Sequence, residues 1–186
     1  MINKKMFDKL RKEIEDKDKE RERIIVESRP VIKNSKQAIY SIHRGDMDDA
    51  KKLIDIAESS LKKLKSEQNI GAYNAALQEY VEAITYYHYV QKGELLEFEK
   101  MNIDPENYLL GLCDLTGELG RRAVYSVINE TYDEVKKINE FVSLIHDEFV
   151  KFEFRNSELR KKSDSIKWNL KKIEEIMYDL KIRGKI

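Results

Sequence analysis

Residues 44–66 read RGDMDDAKKLIDIAESSLKKLKS, and the spacing within them decides the fold. Arg44-Gly45-Asp46 is a helix stop followed by an N-cap, so a helix is predicted from Met47 to about Ser66. Within it Leu53, Ile54, Ala57, Leu61 and Leu64 recur at three- and four-residue intervals, the period of one buried helical face. The same period runs almost throughout the chain and no useful stretch alternates with period two, which makes the fold class all-α.

Upstream, a first helix is predicted over Lys4 to His43. Its apolar stripe is weak at Phe7, Leu10 and Ile14, gives way to charge from Glu15 to Arg23, and resumes through Ile24, Ile25, Val31, Ile32, Ala38, Ile39 and Ile42. Pro30 lies inside this pattern and removes a backbone donor there, so a kink is expected. Downstream, a third helix is predicted over Ile70 to Gln91, and the stretch from Gly93 to Pro105 is the one long connection. A fourth starts near Pro105, a residue suited to a first helical turn, and reaches about Asn129. Thr131 is the expected cap of a fifth helix running to Phe154, and Asn156 or Ser157 of a sixth ending at Gly184.

The chain has 186 residues, 38% of them charged, with two prolines and seven glycines, the balance of a long-helix protein. The expectation is a single domain over 1–186, a bundle of about six or seven helices burying roughly 70% of its unfolded surface without staples. A lone cysteine, Cys113, permits no intrachain disulfide, and no Cys/His pairs stand at zinc spacing. Residues 1–5 lead into charge instead of a signal-peptide apolar run, and nothing approaches a membrane span; the expected location is cytoplasmic. Lysine plus arginine equals aspartate plus glutamate at 35 each, so whole-chain charge neither supports nor excludes nucleic-acid binding. A first helix of about 60 Å, at 1.5 Å per residue, is longer than a domain of this mass is wide and points to another subunit. The broad apolar set Trp168, Ile173, Ile176, Met177, Leu180 and Ile182 points the same way.

The informative residues are acidic. An inward stripe of the third helix, Ala72, Ala75, Ala76, Ala83, Tyr86 and Val90, also passes through Glu79 and Glu82. In the fourth helix Asp114 and Glu118 lie four apart on the stripe Gly111, Asp114, Glu118, Arg121 and Tyr125. Carboxylates at packing positions must be neutralised by cations, protons or metal. If the two helices pack antiparallel, the four acids converge. Four hard oxygen donors without histidine suit Mg2+ or Mn2+, a device for cleaving phosphodiesters. A di-iron bundle uses Glu-x-x-His, and none of His43, His88 or His146 has a glutamate three residues earlier. The alternative is ordinary ion pairing on helix faces.

Arg121 either neutralises Glu118 or, like Arg122, holds a phosphate. Arg21, Arg23, Arg29, Lys33 and Lys36 along the first helix, and Arg160, Lys161, Lys162, Lys167, Lys171 and Lys172 along the last, read either as solvated faces or as phosphate contacts. Of these, Arg21, Arg23, Lys33, Lys36, Arg121 and Arg122 are the nucleic-acid candidates. Tyr86, Tyr87, His88 and Tyr89 suit base stacking or, more commonly, packing. His43 and His146 read as structural or surface residues. No Gly-rich phosphate loop, nucleophile elbow or Cys/His dyad is present.

Three runs carry a family resemblance: 77–83 (LQEYVEA), 108–119 (YLLGLCDLTGEL) and 171–184 (KKIEEIMYDLKIRG). In that order they resemble the translin family, closer to its TRAX branch, as does the end of the first helix at Ser41-Ile42-His43-Arg44. The resemblance covers nearly the whole chain. It implies an all-α subunit of a hollow octamer that binds single-stranded nucleic acid within its shell. It also implies TRAX-type, magnesium-dependent endoribonuclease activity on single-stranded or small structured RNA, with Glu79, Glu82, Asp114 and Glu118 as the catalytic acids. The Gly93–Pro105 connection is shorter than the insertion of animal TRAX, and the implied assembly is a homo-octamer of the archaeal kind. Translin itself generally lacks the full acidic set, which keeps a non-catalytic single-stranded DNA- or RNA-binding shell as the alternative.

Overall fold

The computed structural model describes residues 2–64, 71–155 and 158–186. Among them are six α-helices and no strand: α1 Lys4–His43, α2 Met47–Lys63, α3 Gly71–Lys92, α4 Pro105–Ile128, α5 Tyr132–Val150 and α6 Glu158–Ile182, with a 3-10 turn at Phe98–Lys100. No helix is long and apolar enough to cross a membrane among the described residues.

Local chemistry sets the boundaries. At the start of α1 the Asn3 side chain accepts a hydrogen bond from the Met6 N–H, and at the start of α2 Asp46 accepts one from the Asp49 N–H at 3.0 Å. Each satisfies a donor that has no helical partner. Asp104 does the same for α4 through the Asn107 N–H at 3.0 Å, with Pro105 in the first turn. The turn between α1 and α2 requires Gly45 at φ +80°, a conformation in which a Cβ is costly. Two expected boundaries move. The second helix ends at Lys63, with Leu64 as its C-cap. The fifth stops at Val150 because Phe152 and Phe154 turn back to pack on Phe149, with ring centroids 6.1 and 6.0 Å away. Thr131 precedes it without a side-chain cap, its hydroxyl donating instead to the Ser126 carbonyl. The expected caps Asn156 and Ser157 lie outside the described residues.

Helix α1 runs unbroken through Pro30. That residue is exposed, and Asn34 donates to the Pro30 carbonyl at 2.8 Å. Burial begins only at Ile24 and continues at Ser28, Val31, Ser35, Ala38, Ile39 and Ile42. Ile24 packs with Leu64 in a small satellite cluster where α1 leaves the body. Met6, Phe7, Leu10 and Ile14 are all exposed.

The packing directions depart from expectation. Gln78 pairs with Asn107, Gly111 abuts Val81 and Gln78, and the Arg122 guanidinium lies against the Tyr86 phenol. Position numbers rise together on both helices, so α3 and α4 are parallel, and the antiparallel packing expected from sequence is corrected. The 93–104 connection makes this possible by carrying the chain back along the bundle. Gly93 at φ +72° ends α3, Tyr108 donates to the Leu96 carbonyl at 2.8 Å, and Phe98 stacks edge-on against Tyr108. By the same test α1 runs parallel to α3, through Lys36–Glu79 and His43–Tyr86. Likewise α6 runs parallel to α4, through Lys162–Asp114 and Asn169–Thr116.

Candidate functional site: an acid-lined cavity between four helices

Four helices lying side by side in one direction leave a cavity of about 590 Å³, lined in part by Glu79, Glu82, Asp114, Glu118, Lys36 and Lys162, with Tyr40 and Arg121. All four acids predicted from sequence therefore face one space. Parallel packing strings them along it. Glu79 meets Lys36, and Glu118 meets His43, seven residues further along α1, or about 10 Å at helical rise.

Each acid has a different environment. Glu79 accepts from Lys36 Nζ at 3.0 Å. Asp114 accepts from Lys162 Nζ at 2.6 Å, and the same ammonium reaches Gln78 Oε1 at 3.2 Å. Burial nonetheless holds the Asp114 carboxyl above its usual range, outweighing the lysine. Glu118 takes a hydrogen bond from His43 Nε2 at 2.5 Å and has Arg121 at 3.8 Å. Glu82 is 9% exposed, and no cation lies within ion-pair distance of it among the described residues. Burial, then the charges of Asp114, Glu79 and Glu118, push its carboxyl up to about 9, so at neutral pH it carries a proton.

By chemistry the donors fit a hard divalent cation: carboxylate oxygens from four acids, one of them a carboxyl whose burial and acidic neighbours disfavour its charged form. In the arrangement seen, no three His, Cys, Asp or Glu side chains among the described residues form a set that could hold a metal ion. Glu79 and Asp114 carry lysines where ligands to one ion would have to turn inward.

Of the basic candidates, Lys36 and Arg121 reach the cavity. The Arg121 guanidinium sits 5.4 and 5.8 Å from the ring centroids of Tyr40 and Tyr125, at cation–π range. The others stand elsewhere. Arg23 bridges Glu20 and Glu27 on the exposed arm of α1, and Arg21 and Lys33 are outside the cavity lining. Arg122, one residue and about 100° round the helix from Arg121, is turned to α5, where it donates to Glu134 at 2.6 Å. It is corrected from a phosphate contact to a half-buried structural cation. Tyr86 and Tyr89 are buried in the core, which leaves them no free face for a base.

Sequence reasoning passed over His43 and singled out Lys162 only as one of a charged run. The signal was the register Lys36, Tyr40, His43, spaced four and three, which places all three on one face of α1 beside the acids.

An all-helical subunit whose parallel helices enclose a carboxylate-lined cavity is the class defined so far. The chain belongs to the translin family, whose pattern matches residues 19–184. It is 27% identical to Translin-associated protein X of Rattus norvegicus over 96% of this chain and 78% of that protein. It is 29% identical to an uncharacterized protein of Methanocaldococcus jannaschii over 90% of this chain and 81% of that one. Among solved structures, an AfC3PO–duplex RNA complex superposes with a TM-score of 0.85 at 25% identity, covering 96% of this chain and 97% of that one.

Proposed function

We propose that this protein is a divalent-metal-dependent endoribonuclease of the TRAX type, acting on single-stranded or small structured RNA. The observation that carries this reading is Glu82, a buried carboxyl that shares one open cavity with three other acids and has no cation at ion-pair distance among the described residues. The duplex RNA bound by AfC3PO supports RNA as the ligand class. Glu79, Glu82, Asp114 and Glu118 would hold Mg2+ or Mn2+. When bound, the ion supplies charge for the phosphate oxygens and acidifies the attacking water.

The chain's own residues do the rest. Lys36 and Lys162, which neutralise Glu79 and Asp114 here, would be available to phosphate oxygens if those carboxylates held the ion. Arg121, an exposed cation on the cavity lining between two tyrosine rings, would meet a backbone phosphate there. The exposed apolar arm of α1 and the exposed Trp168, Tyr178 and Ile182 of α6 support assembly into a homo-oligomer, for which an octamer is the proposed form.

The test is cleavage of an end-labelled single-stranded RNA, beside the matching DNA, in magnesium and in chelator. Magnesium should accelerate RNA cutting by at least about 100-fold, the scale of metal activation at a phosphodiester. RNA or DNA binding with no metal-stimulated cutting would overturn the nuclease and leave a nucleic-acid-binding shell.

A further inference from the structure

Behind the cavity a file of buried and half-buried side chains crosses four helices, α1, α3, α4 and α5, and ends on one of the four acids. The His43 side chain is 5% exposed, with Nε2 2.5 Å from Glu118 Oε2 and Nδ1 3.2 Å from the Tyr86 hydroxyl. Tyr86 is fully buried. The Arg122 guanidinium lies against its phenol oxygen, while Arg122 also holds Glu134, which accepts a second bond from Ser126 Oγ at 2.7 Å.

Donor and acceptor logic orders this file. A guanidinium can only donate, so with Arg122 beside the phenol oxygen the phenol proton is left for another acceptor. Burial holds that phenol far above its usual range, so the proton stays on it. The acceptor within reach is His43 Nδ1. An imidazole that accepts at Nδ1 carries its N–H at Nε2, which is the nitrogen facing Glu118.

We propose that His43 is a positioning residue for Glu118, with Tyr86 and Arg122 fixing the ring so that Nε2–H holds one carboxylate oxygen and leaves the other turned to the cavity. This rests on the metal-nuclease reading and deepens it. A carboxylate on a flexible side chain is an effective ligand only when an outer hydrogen bond fixes its direction, and loss of such a partner typically weakens metal affinity by about 10–100-fold. The geometry also separates the two ends of the cavity: Glu79 is held by a lysine that a cation can displace, whereas Glu118 is held by a neighbour that a cation does not replace.

The experiment measures Mn2+ binding to the full chain by titration without RNA, for the parent protein, His43→Ala, His43→Gln, Tyr86→Phe and Glu82→Gln, with helicity checked by circular dichroism. Imidazole 15N spectra of the metal-free parent are recorded alongside, the His43 signal being assigned by its loss in His43→Gln. Expected are an Nε2–H tautomer, about 10–100-fold weaker Mn2+ binding in His43→Ala, partial recovery in His43→Gln, whose amide still donates, and a loss of several-fold in Tyr86→Phe. An Nδ1–H tautomer overturns the proposal. So does unchanged affinity in folded His43→Ala and Tyr86→Phe while Glu82→Gln abolishes binding, an outcome that leaves the metal reading standing. A parent protein that binds no Mn2+ ends both, and parent-like binding in Glu82→Gln locates the metal elsewhere and ends both at this cavity.

Discussion

The Glu82→Gln variant is expected to lose magnesium-dependent RNA cleavage by about 1000-fold or more, while its metal-free form unfolds at higher denaturant than the parent near pH 8. Both effects come from one carboxyl. As a ligand it brings negative charge to the centre of the cavity, and an amide of the same shape brings none. Without metal that charge is a liability, since burial and three neighbouring acids push the group from 4.5 up to about 9. The folded chain therefore holds a proton that the unfolded chain gives up above about pH 4.5. Stability from this group is fully present below that pH and falls as pH rises toward 9, at about 1.4 kcal/mol per pH unit for one proton. The glutamine variant should lack this slope. Denaturation midpoints of the metal-free proteins at pH 5, 7 and 9 give the comparison, and parallel pH dependences would show that Glu82 is not protonated in the fold. In the parent, cation binding near pH 7 must expel the proton, so apparent metal affinity should rise with pH across this interval.

Gly111→Ala should destabilise the fold by about 1–3 kcal/mol, the range for overpacking a core contact. A Cβ at Gly111 would lie 2.6 Å from both Cβ and Cγ1 of Val81 and 3.0 Å from the Gln78 carbonyl oxygen. Those are the backbone and branch point of the facing helix, not the end of a flexible side chain, so α3 and α4 must separate. They would separate next to Glu82 and Asp114, and cleavage should fall with stability. A Val81→Ala partner substitution removes one clashing atom and leaves the other, which predicts partial recovery by denaturant titration. A Gly111→Ala protein with the parent's midpoint would mean that the helices do not approach this closely.

The helices themselves were legible, because a three- and four-residue apolar period survives even a sequence this charged, and signals such as Asp46 and Pro105 mark where α2 and α4 begin. The acids were legible for a related reason: Glu79 and Glu82 fall on a stripe otherwise given to small and aromatic residues. Direction was not. Periodicity tells which face of α3 meets α4 but is the same read up or down, and only the length of 93–104 hinted that the chain had room to return before starting α4. The two arginines were equally opaque. Arg121 and Arg122 are chemically identical neighbours, and their fates part only because Glu134 stands on the side that Arg122 faces. His43 was missed because a single histidine carries no pattern of its own, and its meaning comes from Tyr86 and Glu118, 43 and 75 positions away.

Helix α1 is one element by its backbone and two by its surroundings. From Ile24 onward it is clamped by the body, whereas residues 4–23 are exposed almost throughout, supported by solvent-exposed pairs such as Arg11–Asp8 and Arg23–Glu20 that add little to stability. A solvated segment of that length is marginal in water. Its amides should therefore trade hydrogen for deuterium orders of magnitude faster than those of the same helix beyond Ile24 in a lone subunit. Wherever a second subunit covers Phe7, Leu10 and Ile14, that boundary in exchange rate should move toward the N-terminus, so the order of this arm keeps a running record of assembly.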